Sequence, residues 1–202
     1  IDIGTSAIKV VQLRKDGDKA VLDTYGALAL GQYADGGIIG QVTNLDAPTL
    51  AKALTDVLAE THITSKNVVV GLPSVSCIIF ILQLPAEVEE RDFGTVIPNE
   101  SKKFILVPLT DVSLDWYVIP RREDSGSESR RLSESGGEAQ MSVLVVATLN
   151  ETLVKYTELM QKADLPMDSL EIEVFSQIRS VLTRELFPVV IVDIGASKTK
   201  LS

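Results

Sequence analysis

The chain has 202 residues, 45% of them hydrophobic and 23% charged, and a net charge of −9. This length suffices for one large domain or two small ones with real cores, and the acidic balance argues against a general nucleic-acid binder, which would show a basic face. The single Cys and single His exclude a disulfide framework and a Cys/His metal site, and these counts fit a reducing, cytoplasmic setting. No apolar run is long enough to span a membrane.

The first residues predict a β-hairpin with a phosphate-binding turn. A short apolar strand runs into Asp2, and Gly4 allows a tight turn in which backbone N–H groups face an anion. Thr5 and Ser6 add hydroxyl donors, and a second strand follows at residues 8–13. The N-terminal sequence has no signal-peptide pattern and no initiator Met, so we expect a piece of a longer protein.

Residues 20–73 extend this start into a β-β-β-α-β pattern. A third strand is predicted at 20–28 and a Gly-rich loop at 31–45. Asp46 is a candidate N-cap for a helix with one apolar face, and a short buried strand precedes Pro73. The pattern is that of the ribonuclease-H-like unit on which actin-type lobes are built.

The middle of the chain predicts a separate α+β insertion. Its expected elements, in order, are a strand, a helix and two further strands at 75–84, 87–104, 114–119 and 141–148. Gly94 and Pro98 predict a break or a kink in the helix. The polar stretch 121–140 mixes both charge signs, which favours a mobile loop over a nucleic-acid patch.

A second copy of the opening motif ends the chain. It follows a helix, a strand, a helix and a strand at 150–163, 169–172, 174–186 and 189–192. Asp, Ile, Gly, Ser and Lys recur in the same order from Asp193 onward. One Asp-Ile-Gly sequence can be a strand and a turn without function. Two copies with shared hydroxyls and lysines favour a two-lobed actin-type ATPase, in which each lobe contributes one hairpin to the phosphates.

The sequence resembles the PilM family of type IV pilus assembly proteins, which are relatives of the cell-division protein FtsA. The opening Asp-Ile-Gly-Thr-Ser-x-x-Lys-Val at 2–10 and the closing Val-Asp-Ile-Gly-Ala-Ser-x-Thr at 192–199 are similar to the family's two phosphate motifs. The more specific likeness is Glu-Ser-Lys-Lys-Phe-Ile-Leu-Val-Pro-Leu-x-x-Val-x-Leu-Asp-Trp at 100–116. The resemblance covers essentially the whole chain.

The resemblance implies an α/β fold of the actin-like ATPase class. Residues 1–73 and 149–188 would form the first, ribonuclease-H-like lobe. Residues 74–148 would form a small inserted α+β subdomain, and residues 189–202 would begin a second lobe that is largely missing.

The resemblance also implies ATP and Mg²⁺ as ligands. Asp2 and Asp193 would lie near Mg²⁺ and act through its water shell. The residues expected at the phosphates are Gly4, Thr5, Ser6 and Lys9 from the first hairpin and Gly195, Ala196, Ser197 and Thr199 from the second. Glu173 falls where actin-type ATPases orient the attacking water, although the helix dipole alone also favours a Glu at a helix start. Slow or absent hydrolysis is the expectation.

The function implied is that of a cytoplasmic, nucleotide-binding scaffold at the inner face of the cell membrane. Its partner would be the N-terminal cytoplasmic tail of a PilN-type inner-membrane protein. Self-association into a homo-oligomer is left open, and neither nucleic-acid binding nor direct membrane insertion is expected. The alternatives are an FtsA-like membrane-tethering protein, a small-molecule kinase of the actin-like superfamily, and an interaction protein with a vestigial clamp.

Overall fold

The computed structural model describes residues 1–120, 140–182 and 187–202. These residues divide into two compact units, Ile1–Ser74 with Val154–Ser202 and Val75–Leu153. The loop predicted at 121–140 falls outside the described residues except for its last position, and so does the end of the helix predicted at 174–186. Within the described ranges, no helix has both the length and the apolar character needed to cross a membrane.

Ten strands and the helices between them follow one another along the described chain. The strands are β1 (Asp2–Ile3), β2 (Ala7–Asp16), β3 (Lys19–Ala29), β4 (Val69–Leu72), β5 (Cys77–Pro85), β6 (Val112–Ile119), β7 (Gln140–Leu149), β8 (Ser169–Ile172), β9 (Val192–Ile194) and β10 (Thr199–Leu201). The α-helices are α1 (Ala47–Glu60), α2 (Phe93–Ser101), α3 (Asn150–Lys162) and α4 (Glu173–Val181).

The first unit is built on a five-stranded sheet with the strand order β3-β2-β1-β4-β8. The first three strands of the chain pair antiparallel, whereas β1, β4 and β8 run parallel to one another. The order agrees with the ribonuclease-H-like unit predicted from the β-β-β-α-β pattern. Strands β9 and β10 form a separate two-stranded ribbon in the same unit.

Helix α1 covers one face of the β2–β3 hairpin. Asp46 caps it as predicted, because its carboxylate accepts a hydrogen bond from the Thr49 N–H at 2.9 Å. The apolar stripe of the helix buries Leu54 and Val57. Gly26 on β3 faces the end of the helix, where a Cβ atom would lie only 2.1 Å from a methyl group of Thr61. This close approach explains a glycine inside a strand.

The second unit is an antiparallel sheet of order β5-β7-β6 with helix α2 packed in its core. The buried core residues are Leu82, Leu84, Phe93, Ile97, Val143 and Val145. Helix α2 continues through Gly94 and Pro98, so the predicted break is absent, and the alternative prediction of a kink stays a prediction. Burial of Phe93 and Ile97 anchors the short helix, and the hydroxyl of Ser101 donates to the Ile97 carbonyl at 2.7 Å. Tertiary packing here outweighs the local cost of a proline.

Candidate functional site

The carboxyl ends of three parallel strands lie side by side at one edge of the five-stranded sheet. Asp2 on β1 is level with Gly71 on β4, which is level with Glu171 on β8. The chain therefore leaves all three strands at the same edge of the sheet. It enters the first hairpin turn after β1, reaches Ser74 after β4 and reaches Glu173 after β8. Because ligands of open α/β sheets bind outside the carboxyl ends of the strands, this edge is the candidate site.

The two predicted phosphate hairpins share one register. Asp2 lies opposite Lys9 across β1 and β2, and Asp193 lies opposite Lys200 across β9 and β10. In both hairpins the aspartate lies on the incoming strand, one residue before its end, and the lysine lies on the outgoing strand. The duplication seen in the sequence is therefore also a duplication of backbone pairing.

The turns of the two hairpins close in the same way. The Gly4 N–H donates to the Ala7 carbonyl at 3.0 Å, and the Gly195 N–H donates to the Lys198 carbonyl at 3.0 Å. A Cβ atom at either glycine would lie 3.0 or 3.1 Å from that same carbonyl oxygen, which is tighter than ordinary contact. Both glycine amides are thus used by the turns, so any anion has to be bound by the neighbouring groups.

The middle of the first turn offers such groups. The Thr5 carbonyl accepts from the backbone N–H of Thr43 at 2.8 Å and from its hydroxyl at 2.9 Å. Since the peptide is trans, the Ser6 N–H points the opposite way from that carbonyl. Within the described ranges, neither the Thr5 nor the Ser6 N–H donates to a backbone acceptor outside strand pairing.

The second turn has the same form and meets the first at its tip. Ala196 and Ser197 are exposed in the middle of this turn, and Thr199 begins β10 opposite Ile194. The hydroxyl of Thr5 lies 3.3 Å from the hydroxyl of Ser197. Folding therefore brings together residues that are nearly the whole chain apart. Asp2 and Asp193 do not contact each other in the part of the chain that the structure describes; each is paired with a lysine.

The lysine of the first hairpin is in an open setting. The Lys9 ammonium lies 3.2 Å from the Asp2 carboxylate, and its side chain is 63% exposed. An ion pair this exposed contributes little to stability, so the ammonium is free to turn toward another anion.

The lysine of the second hairpin is held by two acidic residues. The Lys200 ammonium lies 2.5 Å from the Glu173 carboxylate and 3.5 Å from that of Asp193, and its side chain is 24% exposed. The Gln177 amide also donates to Asp193 at 3.0 Å. Burial disfavours the charge on Lys200, but the hydrogen bonds and charges of Glu173 and Asp193 outweigh it and raise its pKa.

Glu173 opens helix α4, where its charge suits the helix dipole, and one of its oxygens is fully engaged. That oxygen accepts from the Ser74 N–H at 2.8 Å, from the Ser74 hydroxyl at 3.1 Å and from Lys200. Ser74, Gln177 and Lys200 were not among the predicted site residues. Lys200 belongs to the repeated motif, and Gln177 lies one helical turn beyond Glu173, so both carried a signal in the sequence.

The donor set suits a magnesium nucleotide. The described residues contain no group of three or more His, Cys, Asp or Glu side chains that could hold a metal ion. Mg²⁺ usually keeps several waters and takes only one or two carboxylates together with phosphate oxygens. One carboxylate per hairpin, beside turn amides, hydroxyls and lysines, matches that requirement.

Comparison with known proteins bears on the fold and the family of the chain. The family model described as "Type IV pilus assembly protein PilM" matches residues 1–202. A solved structure of a PilM–PilN type IV pilus biogenesis complex aligns at a TM-score of 0.74 and 24% identity, over 99% of this chain and 55% of that one. The cytoplasmic domain of EpsL, an inner membrane component of the type II secretion system of Vibrio cholerae, aligns at a TM-score of 0.53 and 12% identity. That alignment covers 100% of this chain and 68% of the EpsL chain.

These matches settle the fold class and the family. The structural likeness confirms the predicted actin-like ATPase fold, and the chain spans about half the length of the PilM chain that it matches, 55%. The division into a first lobe, an insertion and the start of a second lobe stays a prediction, as do the roles of the individual site residues. Because the family model covers every residue, this chain belongs to the type IV pilus assembly protein PilM family.

Proposed function

We propose that the protein containing this chain is a cytoplasmic, nucleotide-binding scaffold of type IV pilus assembly. The observation that carries the pilus assignment is the family match over all 202 residues. It favours this assignment over the FtsA-like tethering protein and the small-molecule kinase. The matched complex pairs PilM with PilN, so we propose the N-terminal cytoplasmic tail of a PilN-type protein as the partner at the inner face of the membrane.

The nucleotide part of the proposal is supported by the paired hairpins. The amides of Thr5 and Ser6 and the hydroxyls of the two turns form a donor surface at the sheet edge. Lys9 supplies a mobile positive charge beside Asp2. When bound, Mg²⁺ would neutralise phosphate charge, with Asp2 and Asp193 holding it through its water shell. Such a clamp grips phosphates by positioned donors and charge, without covalent chemistry.

Binding without rapid hydrolysis is the proposed mode of action. A group that orients an attacking water needs a free lone pair within hydrogen-bond reach of that water. One oxygen of Glu173 already accepts from Ser74 twice and from Lys200 once, so the protein anchors this carboxylate and leaves only its second oxygen for a water. We expect nucleotide to act as a bound effector that is turned over slowly or not at all.

Calorimetry of the full-length protein with Mg-ATP tests the clamp. Asp2→Ala and Asp193→Ala should each weaken binding about ten- to hundredfold, the range expected for losing a charged contact. Asp18→Ala is the matched control, because exposed Asp18 lies in the turn at the opposite end of β2. Unchanged affinity in both hairpin variants would remove the nucleotide proposal.

A second titration tests the partner. A synthetic peptide of the cognate PilN-type cytoplasmic tail should bind the full-length protein, and its affinity should differ with and without Mg-ATP. Failure of the peptide to bind would remove the partner assignment. Binding that is indifferent to nucleotide would favour an interaction protein with a vestigial clamp.

A further inference from the structure

The two hairpins place equivalent lysines in different surroundings. Lys9 and Lys200 occupy the same register position opposite an aspartate. Lys9 has that aspartate as its single acidic partner among the described residues, at 3.2 Å. Lys200 lies nearer to Glu173, at 2.5 Å, than to its own cross-strand aspartate, at 3.5 Å. An acidic residue from outside the hairpin therefore holds the second lysine.

We propose that Glu173 is a positioning residue that competes with the nucleotide phosphates for Lys200. In nucleotide-free protein it holds the lysine on the α4 side of the second hairpin. When phosphate enters between the turns, Lys200 exchanges Glu173 for phosphate oxygens. This inference rests on the proposed nucleotide clamp and adds to it a residue that lowers affinity.

The geometry decides which partner moves. Glu173 sits at the start of a helix and is fixed by the backbone N–H and the hydroxyl of Ser74. Lys200 carries its charge on a flexible four-carbon chain with three rotatable donors. It stands on a ribbon of only two strands, which is less constrained than the five-stranded sheet. The glutamate is therefore the fixed site and the lysine the exchanging group.

A phosphate is a strong competitor for this lysine. Hydrogen bonds between an ammonium and an anionic oxygen are favourable for carboxylate and phosphate alike, and a nucleotide brings several such oxygens. Ser74 would continue to satisfy Glu173 after the lysine leaves, so the carboxylate is not left without a partner. Both end states are chemically satisfied, as an exchange requires.

Glu173→Gln separates this role from a structural or a catalytic one. Glutamine keeps a carbonyl oxygen for Ser74 but loses the charge that holds Lys200. We expect Mg-ATP to bind the full-length variant roughly two- to fivefold more tightly, the range of a partly exposed ion pair. The matched control is Glu171→Gln, because Glu171 pairs with Arg179 and not with Lys200; its affinity should equal that of the wild type.

A double-mutant cycle with Lys200→Met completes the test. Lys200→Met should weaken Mg-ATP binding, and Glu173→Gln should have no further effect in that background, because the contested group is gone. Thermal melts confirm that each variant is folded. Equal or weaker binding by Glu173→Gln, or a slower hydrolysis at unchanged affinity, would overturn the inference while leaving the clamp intact. Absence of Mg-ATP binding in the wild type and all variants would remove the clamp and the inference together.

Discussion

The two hairpins share a sequence motif and a register but differ in what supports them. The strands of the first belong to the five-stranded sheet, where Ile8 on β2 is completely buried. The second is a two-stranded ribbon, and Ile194 at the end of β9 is 79% exposed. The same sequence motif therefore forms one hairpin that is anchored by apolar burial and one that is held by polar contacts.

The difference shows which property each level of structure controls. The motif determines the turn, because Gly4 and Gly195 close their turns with the same hydrogen bond. The surrounding elements determine how firmly the turn is held. In the proposed clamp, the first hairpin would thus be the rigid half, and the second, which is held through Lys200 and Asp193, would be the half that can adjust.

The largest expected effect is on stability, and it separates the two hairpins. Ile8→Ala should lower the free energy of unfolding by about 2–5 kcal/mol, because it leaves a cavity in the core. In the 202-residue chain Ile194→Ala should change it by less than about 0.5 kcal/mol, because the side chain is exposed. Urea denaturation measures both. Comparable losses would show that the second hairpin is also anchored by apolar packing.

A smaller loss is expected where helix α1 backs the first hairpin. The methyl group of Thr61 lies in the way of a Cβ atom at Gly26, and the Thr61 hydroxyl is fixed to the Val57 carbonyl at 2.6 Å. Gly26→Ala should therefore destabilise by about 1–3 kcal/mol through overpacking. Gly94→Ala is the control, because the space around that helical glycine is open, and it should be neutral or slightly stabilising. Equal effects at the two positions would contradict the close approach.

Next in size is the contact that orients the first turn. Thr43→Val removes one of two hydrogen bonds to the Thr5 carbonyl and leaves the backbone one in place. The expected loss is about 1 kcal/mol, with faster amide exchange at Gly4 and Thr43, whose N–H groups donate to the carbonyls of Ala7 and Thr5. Amide exchange in the turn 195–198 provides an internal control, because Thr43 makes no hydrogen bond to that turn among the described residues. Equal acceleration in both turns would mean that Thr43 does not act on the first turn specifically.

Local features of this fold could be predicted from the sequence because their causes are local. Asp46 caps α1, and Gly4 forms its turn, through hydrogen bonds to residues three positions away. The predicted break at Pro98 did not occur, because a rule about isolated helices gave way to burial of Phe93 and Ile97 on the same helix. Burial in a core is a property of the whole unit and cannot be seen in a window around the proline.

The polar network of the second hairpin is the part that local patterns could not predict. Ser74 and Glu173 are 99 residues apart and meet because β4 and β8 are parallel neighbours in register. Lys200 reaches Glu173 only once the ribbon has been placed beside α4. The strand order of the ribonuclease-H-like unit would have predicted the first of these contacts, since it puts both strand ends at one edge. No comparable rule about strand order predicts where the β9–β10 ribbon lies relative to α4.

The smallest expected effect concerns the contact between the hairpin tips. The hydroxyls of Thr5 and Ser197 lie 3.3 Å apart in an exposed position, so water competes for both. A double-mutant cycle of Thr5→Val and Ser197→Ala should give a coupling energy below about 0.5 kcal/mol for unfolding without ligand. The same cycle on Mg-ATP affinity should be clearly non-additive, because in the proposed clamp a shared anion would link the two turns. Strong coupling without nucleotide would show that the tips are already assembled, and the second hairpin would then not be the adjustable half.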